Sequence, residues 1–433
     1  MRVGIAGSSA ARLRAPGHHR PRRLLRLMRA CVLALLALDA MRLEAQQEPQ
    51  QGAKITPFVE ETVTTDDNVF RISNQVDPLT AIGFASRGDT YRTTTAGLSL
   101  DVPVSLQRLQ ATLAYNSYRY DRFHELNYDG YELHGSWLWQ LGSTLSGELG
   151  VSEEYSLASF SETLGVAPDR LHVREEFAKA SWLVTPDWKL FAAGDDLQQS
   201  NSDPAGQFNN VTVDSIEASL SRAGGTGNWF GLDTRYESGH YPVAEPIAIG
   251  AAAPLLINNG YSQYGYGVVV DFGAETPSHV VARADQVRRH FHEVTARNFN
   301  RSTGRVEYTW TPDVKVSVSA IAERDISPYE YIHSSIVMVR GLTLRPLWHA
   351  TDFLDLSASL AWLDRSYLSD PIVALGAAPP RDDSVRSLSA LLAYHPASWI
   401  TVQLSFLHED RSSNILFGGY AADVLWLKAR LSL

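Results

Sequence analysis

Side-chain catalysis needs a nucleophile, a base or a metal-ligand set within hydrogen-bond reach, and this sequence offers few such sets. It holds no Gly-x-Ser-x-Gly elbow in a strand–helix context, no phosphate loop and no zinc helix. His290 and His292 stand two residues apart, so both point to one face of a strand, and Arg288 shares that face. Such a pair can bind a metal, and it equally suits a lumen or interface position near a rim. Thr65-Asp66-Asp67-Asn68 sets oxygen-bearing side chains in a row. That is the raw material of a calcium loop, and also of a solvated turn at a strand end. Cys31 is the only cysteine, and it lies in an N-terminal segment expected to be removed. The rest of the chain has no thiol for a disulfide or a metal. The expectation is a protein with no catalytic residue, no cofactor and no metal.

The charged side chains follow another logic. Within apolar segments they recur on one parity: Glu132, Glu148, Arg174, Glu217, Arg235, Glu237, Arg283, Arg305, Glu307 and Glu323. Arg119, Glu154, Glu176, Asp196, Asp285 and Arg386 fit the same pattern. A charge in a barrel wall is costly against lipid and acceptable against water. These residues are therefore expected to line an aqueous lumen. Mixed charge among Tyr, Trp, Ser, Thr and Gln suits hydroxylated sugars, whose CH faces stack on rings while their hydroxyls hydrogen-bond. It also suits an ordinary wet wall.

The elements that must carry these residues are strands. After residue 52 no helical period is convincing, and period-two alternation recurs over long segments. Val314, Val316, Val318, Ala320 and Ala322 alternate with Lys315, Ser317, Ser319, Ile321 and Glu323. Leu354, Leu356, Ala358, Leu360 and Trp362 alternate with Asp355, Ser357, Ser359 and Ala361. Crossing a bilayer at a tilt takes about 9–11 residues, against roughly 5–6 for a strand in a soluble protein. These segments fit the first figure. The pattern predicts about 18 such strands, beginning with 54–64 and ending with 420–433. Long connections centre near residues 77, 123, 163, 205, 250, 294, 329, 374 and 415. Between them lie tight turns such as Thr185-Pro186-Asp187 and Thr311-Pro312-Asp313. Long loops on one side and short turns on the other mark an all-β, antiparallel, up-and-down outer-membrane barrel over residues 53–433. An even strand count puts both ends of the sheet on the periplasmic side, and the first and last strands must pair to leave no edge in hydrocarbon. The last segment keeps Leu425, Leu427, Ala429, Leu431 and Leu433 on one parity. It resembles the C-terminal signal read by the bacterial barrel-assembly machinery, with Leu where Phe is usual.

The N-terminal segment supports the same destination. Arg20, Arg22, Arg23, Arg26 and Arg29 precede an apolar run over residues 30–38, and a small-residue site follows near Ala45-Gln46. That order is a secretion signal over residues 1–45, with Met28 as an alternative start. Residues 46–52 form a polar lead-in. The whole chain carries a formal charge of −10. Nine arginines fall in residues 1–45, so the remainder is more acidic still. Nucleic-acid binding needs a basic face and is excluded as a partner class.

A first strand running into Asp66-Asp67-Asn68-Val69-Phe70-Arg71, in a signal-bearing barrel of this length, resembles the EpsL family. These are outer-membrane proteins of exopolysaccharide biosynthesis operons in bacteria that sort proteins by exosortase. The resemblance implies a role in moving exopolysaccharide across the outer membrane, with outer-membrane lipid, exopolysaccharide and polysaccharide-export proteins as partners. It supplies no functional residues. The residues alone support a passive conduit, and a porin for small nutrients such as oligosaccharides is the alternative. An outer-membrane hydrolase and a soluble periplasmic β protein fit less of the pattern.

Overall fold

The computed structural model describes residues 52–161, 166–225, 227–247, 254–327, 334–369 and 380–433. The expected signal segment 1–45 and the lead-in up to residue 51 lie outside the described residues. Gly52–Leu433 forms one compact unit. In chain order its strands are β1 (Lys54–Asp66), β2 (Asp89–Val104), β3 (Gln107–Tyr120), β4 (Tyr128–Leu141), β5 (Leu145–Leu157), β6 (Arg170–Thr185), β7 (Trp188–Asn201), β8 (Val211–Ala223) and β9 (Trp229–His240). A short hairpin follows, β10 (Glu245–Ile247) and β11 (Leu255–Ile257). Then come β12 (Tyr261–Phe272), β13 (Ser278–Phe291), β14 (Phe299–Asp313), β15 (Val316–Ser327), β16 (Ser334–Thr351), β17 (Leu354–Ser369), β18 (Asp382–Ala397), β19 (Ile400–Ser413) and β20 (Tyr420–Ser432).

Apart from β10 and β11, these form one 18-stranded sheet in which each strand pairs antiparallel with the next. β9 pairs with β12 across the hairpin. β1 pairs with β2 on one side and with β20 on the other, from Phe58 opposite Ser432 to Asp66 opposite Val424. The sheet therefore has no free edge, as a wall in hydrocarbon requires. Each of the eighteen expected segments is a strand of this sheet. The strands run longer than the apolar alternation, up to 18 residues in β16. Backbone pairing needs no apolar side chain, so the ladder continues past the membrane into the polar loop end.

The short turns are built as their residues suggest. The Asp313 carboxylate accepts from the backbone N–H groups of Lys315 at 2.8 Å and Val316 at 3.0 Å. Gly142 and Gly273 take the left-handed region, at φ 63° and 78°. These turns share an end with Lys54 and Leu433, the periplasmic end of such a barrel. The long connections at the other end carry local order: a short helix α1 (Pro78–Ile82), and one-turn helices at His124–Leu126, Gln207–Asn209 and Thr295–Arg297.

The outer face is apolar and open. Leu232 is 67%, Ile216 65% and Tyr266 62% exposed. The register carries one parity around the whole ring: Val316 faces Trp348, Trp348 faces Leu356, Leu356 faces Leu392 and Leu392 faces Leu404. Trp182, Trp188, Trp310 and Trp348 are exposed on this face near the short turns, where an aromatic girdle meets the headgroups. A closed barrel with a large apolar exterior is stable only in lipid. The protein is an outer-membrane β-barrel.

Candidate functional site: the lumen and its mouth

The inward parity is charged, and its contacts reach across strands. Arg283 on β13 donates through Nη1 to Glu217 on β8 at 3.1 Å and through Nη2 to Asp233 on β9 at 2.6 Å. Its Nε donates to Asp285 at 2.8 Å. Contacts that skip strands belong to the concave side of a closed sheet, so this network marks the lumen. Farther towards the mouth, Arg289 donates to Gln263 at 2.8 Å and to Glu237 at 3.2 Å. Its guanidinium lies 3.7 Å from the centroid of the Tyr261 ring, and the Tyr261 hydroxyl donates to Glu237 at 2.5 Å. Arg235 donates to the Ser215 hydroxyl at 3.3 Å and lies 3.8 Å from Glu237. Arg305 donates to Glu323 at 2.9 Å and to Glu307 at 3.1 Å. The four guanidiniums, with Glu237, Asp285 and Glu307, border a recess of about 570 Å³ lined also by Asp195, Asp325 and Val287.

Nine of the ten foremost charged candidates face inward. Seven of them belong to the contacts just described, with Glu237 among them as an acceptor shared by Arg289 and Arg235. Glu132, which accepts from Asn116 Nδ2 at 3.1 Å, and Glu148 lie on the inward parity of β4 and β5, apart from that network. Glu154 and Asp285 also face in. Arg174 does not. It shares the parity of Trp182 and Val184, the exposed outer face of β6, and pairs there with Glu176. Arg119, Asp196 and Arg386 also lie on outward parities. The reason is depth. These residues sit at the loop ends of their strands, beyond the apolar belt, where an outward side chain meets headgroups and water. Charge reports the lumen only within the hydrocarbon layer.

His290 falls on the outward parity of β13, opposite Ser262. His292, one residue past the strand, lies 3.1 Å from the Ser262 hydroxyl. Among the described residues no group of three His, Cys, Asp or Glu is placed to hold a metal ion.

The segment Asp66 to Arg71 is neither a calcium loop nor a solvated turn. Asp66 is buried and accepts from Asn68 N at 2.9 Å and from Arg71 Nη1 at 2.9 and 2.8 Å. Asn68 is 2% exposed; its Oδ1 accepts from Ile72 N at 3.1 Å. The Asp67 carboxylate accepts from Asp423 N at 2.7 Å on β20. Arg71 takes a left-handed φ of 53°. The chain thus reverses tightly and turns Val69 and Phe70 inward. Phe70 packs on Phe123 and Phe160 with centroids 4.9 and 4.8 Å apart, and Phe84 lies 5.1 Å from Phe123. Burial alone would lower the Arg71 pKa, but the Asp66 carboxylate outweighs it and holds the guanidinium above its usual value. The long loop 67–88 is thereby folded onto an aromatic cluster at the extracellular mouth.

Two further clusters at the mouth escaped the sequence reading. Arg411 on β19 donates to Asp383 at 2.9 Å and to the Tyr367 hydroxyl at 2.9 Å, and Arg381 joins the same carboxylate at 2.7 Å. Arg411 Nη1 also donates to the carbonyl of Ser161, beyond β5, at 2.5 Å. Arg297 is 4% exposed and donates to Glu245 at 3.1 Å, beside Ile247, Ile257 and Val294. Alternation could have placed Arg411 on the inward face. No local signal pairs loop residues so distant in sequence.

No family model matches the chain, and no curated protein matches it. Several solved structures are similar to it. Pseudomonas aeruginosa OccK2 (OpdF) is 9% identical with a TM-score of 0.49, over 88% of this chain and 98% of that one. Pseudomonas aeruginosa OccK9 (OpdG) is 11% identical with a TM-score of 0.46, over 88% and 99%. The alcaligin outer-membrane receptor FauA of Bordetella pertussis is 13% identical with a TM-score of 0.43, over 89% and 77%.

Proposed function

We propose that the protein is a passive channel of the outer membrane for small hydrated solutes. One observation carries this reading: an 18-stranded closed barrel whose inner face bears the Arg283 and Arg289 networks while its outer face is apolar. Barrels of 16–18 strands leave an aqueous interior, and a charged wall keeps that interior wet. The folded loop 67–88 narrows the extracellular entrance and sets an upper limit on solute size. The test is single-channel recording of the purified barrel in planar bilayers, with liposome swelling in sugars of graded size. Discrete conductance steps and swelling that falls with sugar size are expected. A barrel that inserts and passes neither ions nor sugars would reject the channel.

A second reading is exopolysaccharide export, favoured by the resemblance through Asp66 to Arg71. In this barrel those residues fold the loop onto an aromatic cluster at the mouth, the end through which an exported polymer would leave. A deletion strain separates the readings: lost surface polymer with intact precursors supports export, and normal polymer with impaired nutrient uptake supports the channel for small solutes.

A further inference from the structure

We propose that the lumen selects cations, and that its substrates are small cationic solutes. This rests on the channel reading. The guanidiniums around the recess lie among carboxylates. Arg283 has each of its three kinds of nitrogen engaged, by Glu217, Asp233 and Asp285. Arg289 is held by Glu237 and Gln263 and lies over Tyr261. Arg235 lies 3.8 Å from Glu237 and 4.0 Å from Asp195. Arg305 is shared by Glu307 and Glu323. Asp325 adds a carboxylate whose Oδ1 accepts only from its neighbour's backbone, Ile326 N, at 2.7 Å. Four guanidiniums and five carboxylates line the recess, and Glu217, Asp233 and Glu323, paired with those guanidiniums from outside the lining, bring the carboxylates to eight.

An anion entering this recess finds Arg283, Arg289 and Arg305 already paired, with Nε of Arg235 the donor left without an acceptor among the described residues, and meets a surplus of negative charge. A cation finds acceptors to spare. Oδ1 of Asp233 and Oδ1 of Asp285 are buried without a donor, so each carboxylate keeps an acceptor that Arg283 does not use. On the adjoining wall Glu132, Glu148 and Glu154 face the same lumen and form no ion pair among the described residues, with Lys179 the cation opposite Glu148 in register. The far wall carries basic clusters, each with two cations to one carboxylate, and none of their residues lines this recess. Lys428 and Arg430 converge on Glu60, at 3.3 and 2.7 Å, and Arg381 and Arg411 are buried on Asp383. Carboxylate-lined pores with low-dielectric walls concentrate cations and exclude anions.

The test uses the purified full-length barrel in a planar bilayer under a KCl gradient, and liposomes offered lysine or glutamate. The expected reversal potential has the sign of potassium selectivity, with a permeability ratio severalfold above one, and lysine enters faster than glutamate. Glu307→Gln combined with Asp325→Asn should lower the ratio in barrels that still migrate as heat-modifiable folded species. A wild-type ratio at or below one, or glutamate entering as fast as lysine, overturns the inference while leaving the channel standing. A barrel that inserts and carries no current overturns the channel itself.

Discussion

Asn68, two residues past the end of β1, donates one Nδ2 hydrogen to the carbonyl of Ala421 on β20 and the other to the carbonyl of Ile72, both at 2.9 Å. The start of the long loop is therefore tied to the seam where the first and last strands close the ring. Barrel closure and loop position are one structural unit at this corner.

Replacing Asn68 with Ala removes both donors and the Oδ1 acceptor. Leaving buried partners unpaired costs about 1–3 kcal/mol. The loss falls on the loop, because the backbone ladder between β1 and β20 does not use the side chain. Limited proteolysis should cut the variant within residues 72–88 at protease levels that spare the wild type, with the barrel core intact. Identical digestion patterns would show that the aromatic cluster alone holds the loop.

The register makes a second prediction. Leu404 lies mid-strand on the outer parity, opposite Leu392 and Leu427, and Gln403 beside it points inward. Leu404→Arg should cost about 2–4 kcal/mol, the usual penalty for a cation near the bilayer midplane. Gln403→Arg should fold nearly as well as the wild type. Folding yield into lipid vesicles, read by heat-modifiable migration, compares the two. Equal damage at both positions would invalidate the assigned faces.

Strands were legible because lipid and lumen impose opposite demands on alternate residues, and eighteen segments obey them. Loops were not. Phe70, Phe123 and Phe160 come together from three separate connections, and no periodicity links them. The Asp66 to Arg71 turn was visible as a polar cluster, yet its burial comes from partners as remote as Asp423 and Ala421. Arg174 misled for a simpler reason. Alternation gives the face of a side chain relative to its neighbours, and at the loop end of β6 the polar parity changes from the inner to the outer face. The sequence holds no depth gauge to mark that change.

Phe123 is fully buried at the centre of the mouth cluster. Phe123→Ala should destabilise the folded loop by about 3–5 kcal/mol through lost contacts and the cavity left behind. The expected readout is faster hydrogen exchange across residues 67–88 with unchanged exchange in β13 and β14. If the loop limits the pore, the same variant also shows noisier and larger single-channel currents. Slow exchange retained across the loop would mean that its polar anchors suffice.

The Arg283 network makes the sharpest prediction, because two substitutions in one contact should move one observable in opposite directions. Arg283→Gln removes the guanidinium that Glu217, Asp233 and Asp285 share. The wall becomes more negative, and the potassium-to-chloride permeability ratio should rise. Glu217→Gln removes one negative charge and leaves an amide oxygen to accept from Nη1 of Arg283, so the wall becomes less negative and the ratio should fall. The double variant removes both charges of the pair and should lie close to the wild type, since its net charge is the same. Side-chain exposure of 31% for Arg283 and 21% for Glu217 means that water and salt screen the pair, so the opposing shifts should shrink as ionic strength rises. Reversal potentials for the four proteins at low and high salt measure this. A general loss of folding would lower the number of inserted channels without changing the sign of their selectivity. Shifts of the same sign for the two single variants would therefore place the Arg283 network off the conduction path, with selectivity set at the mouth.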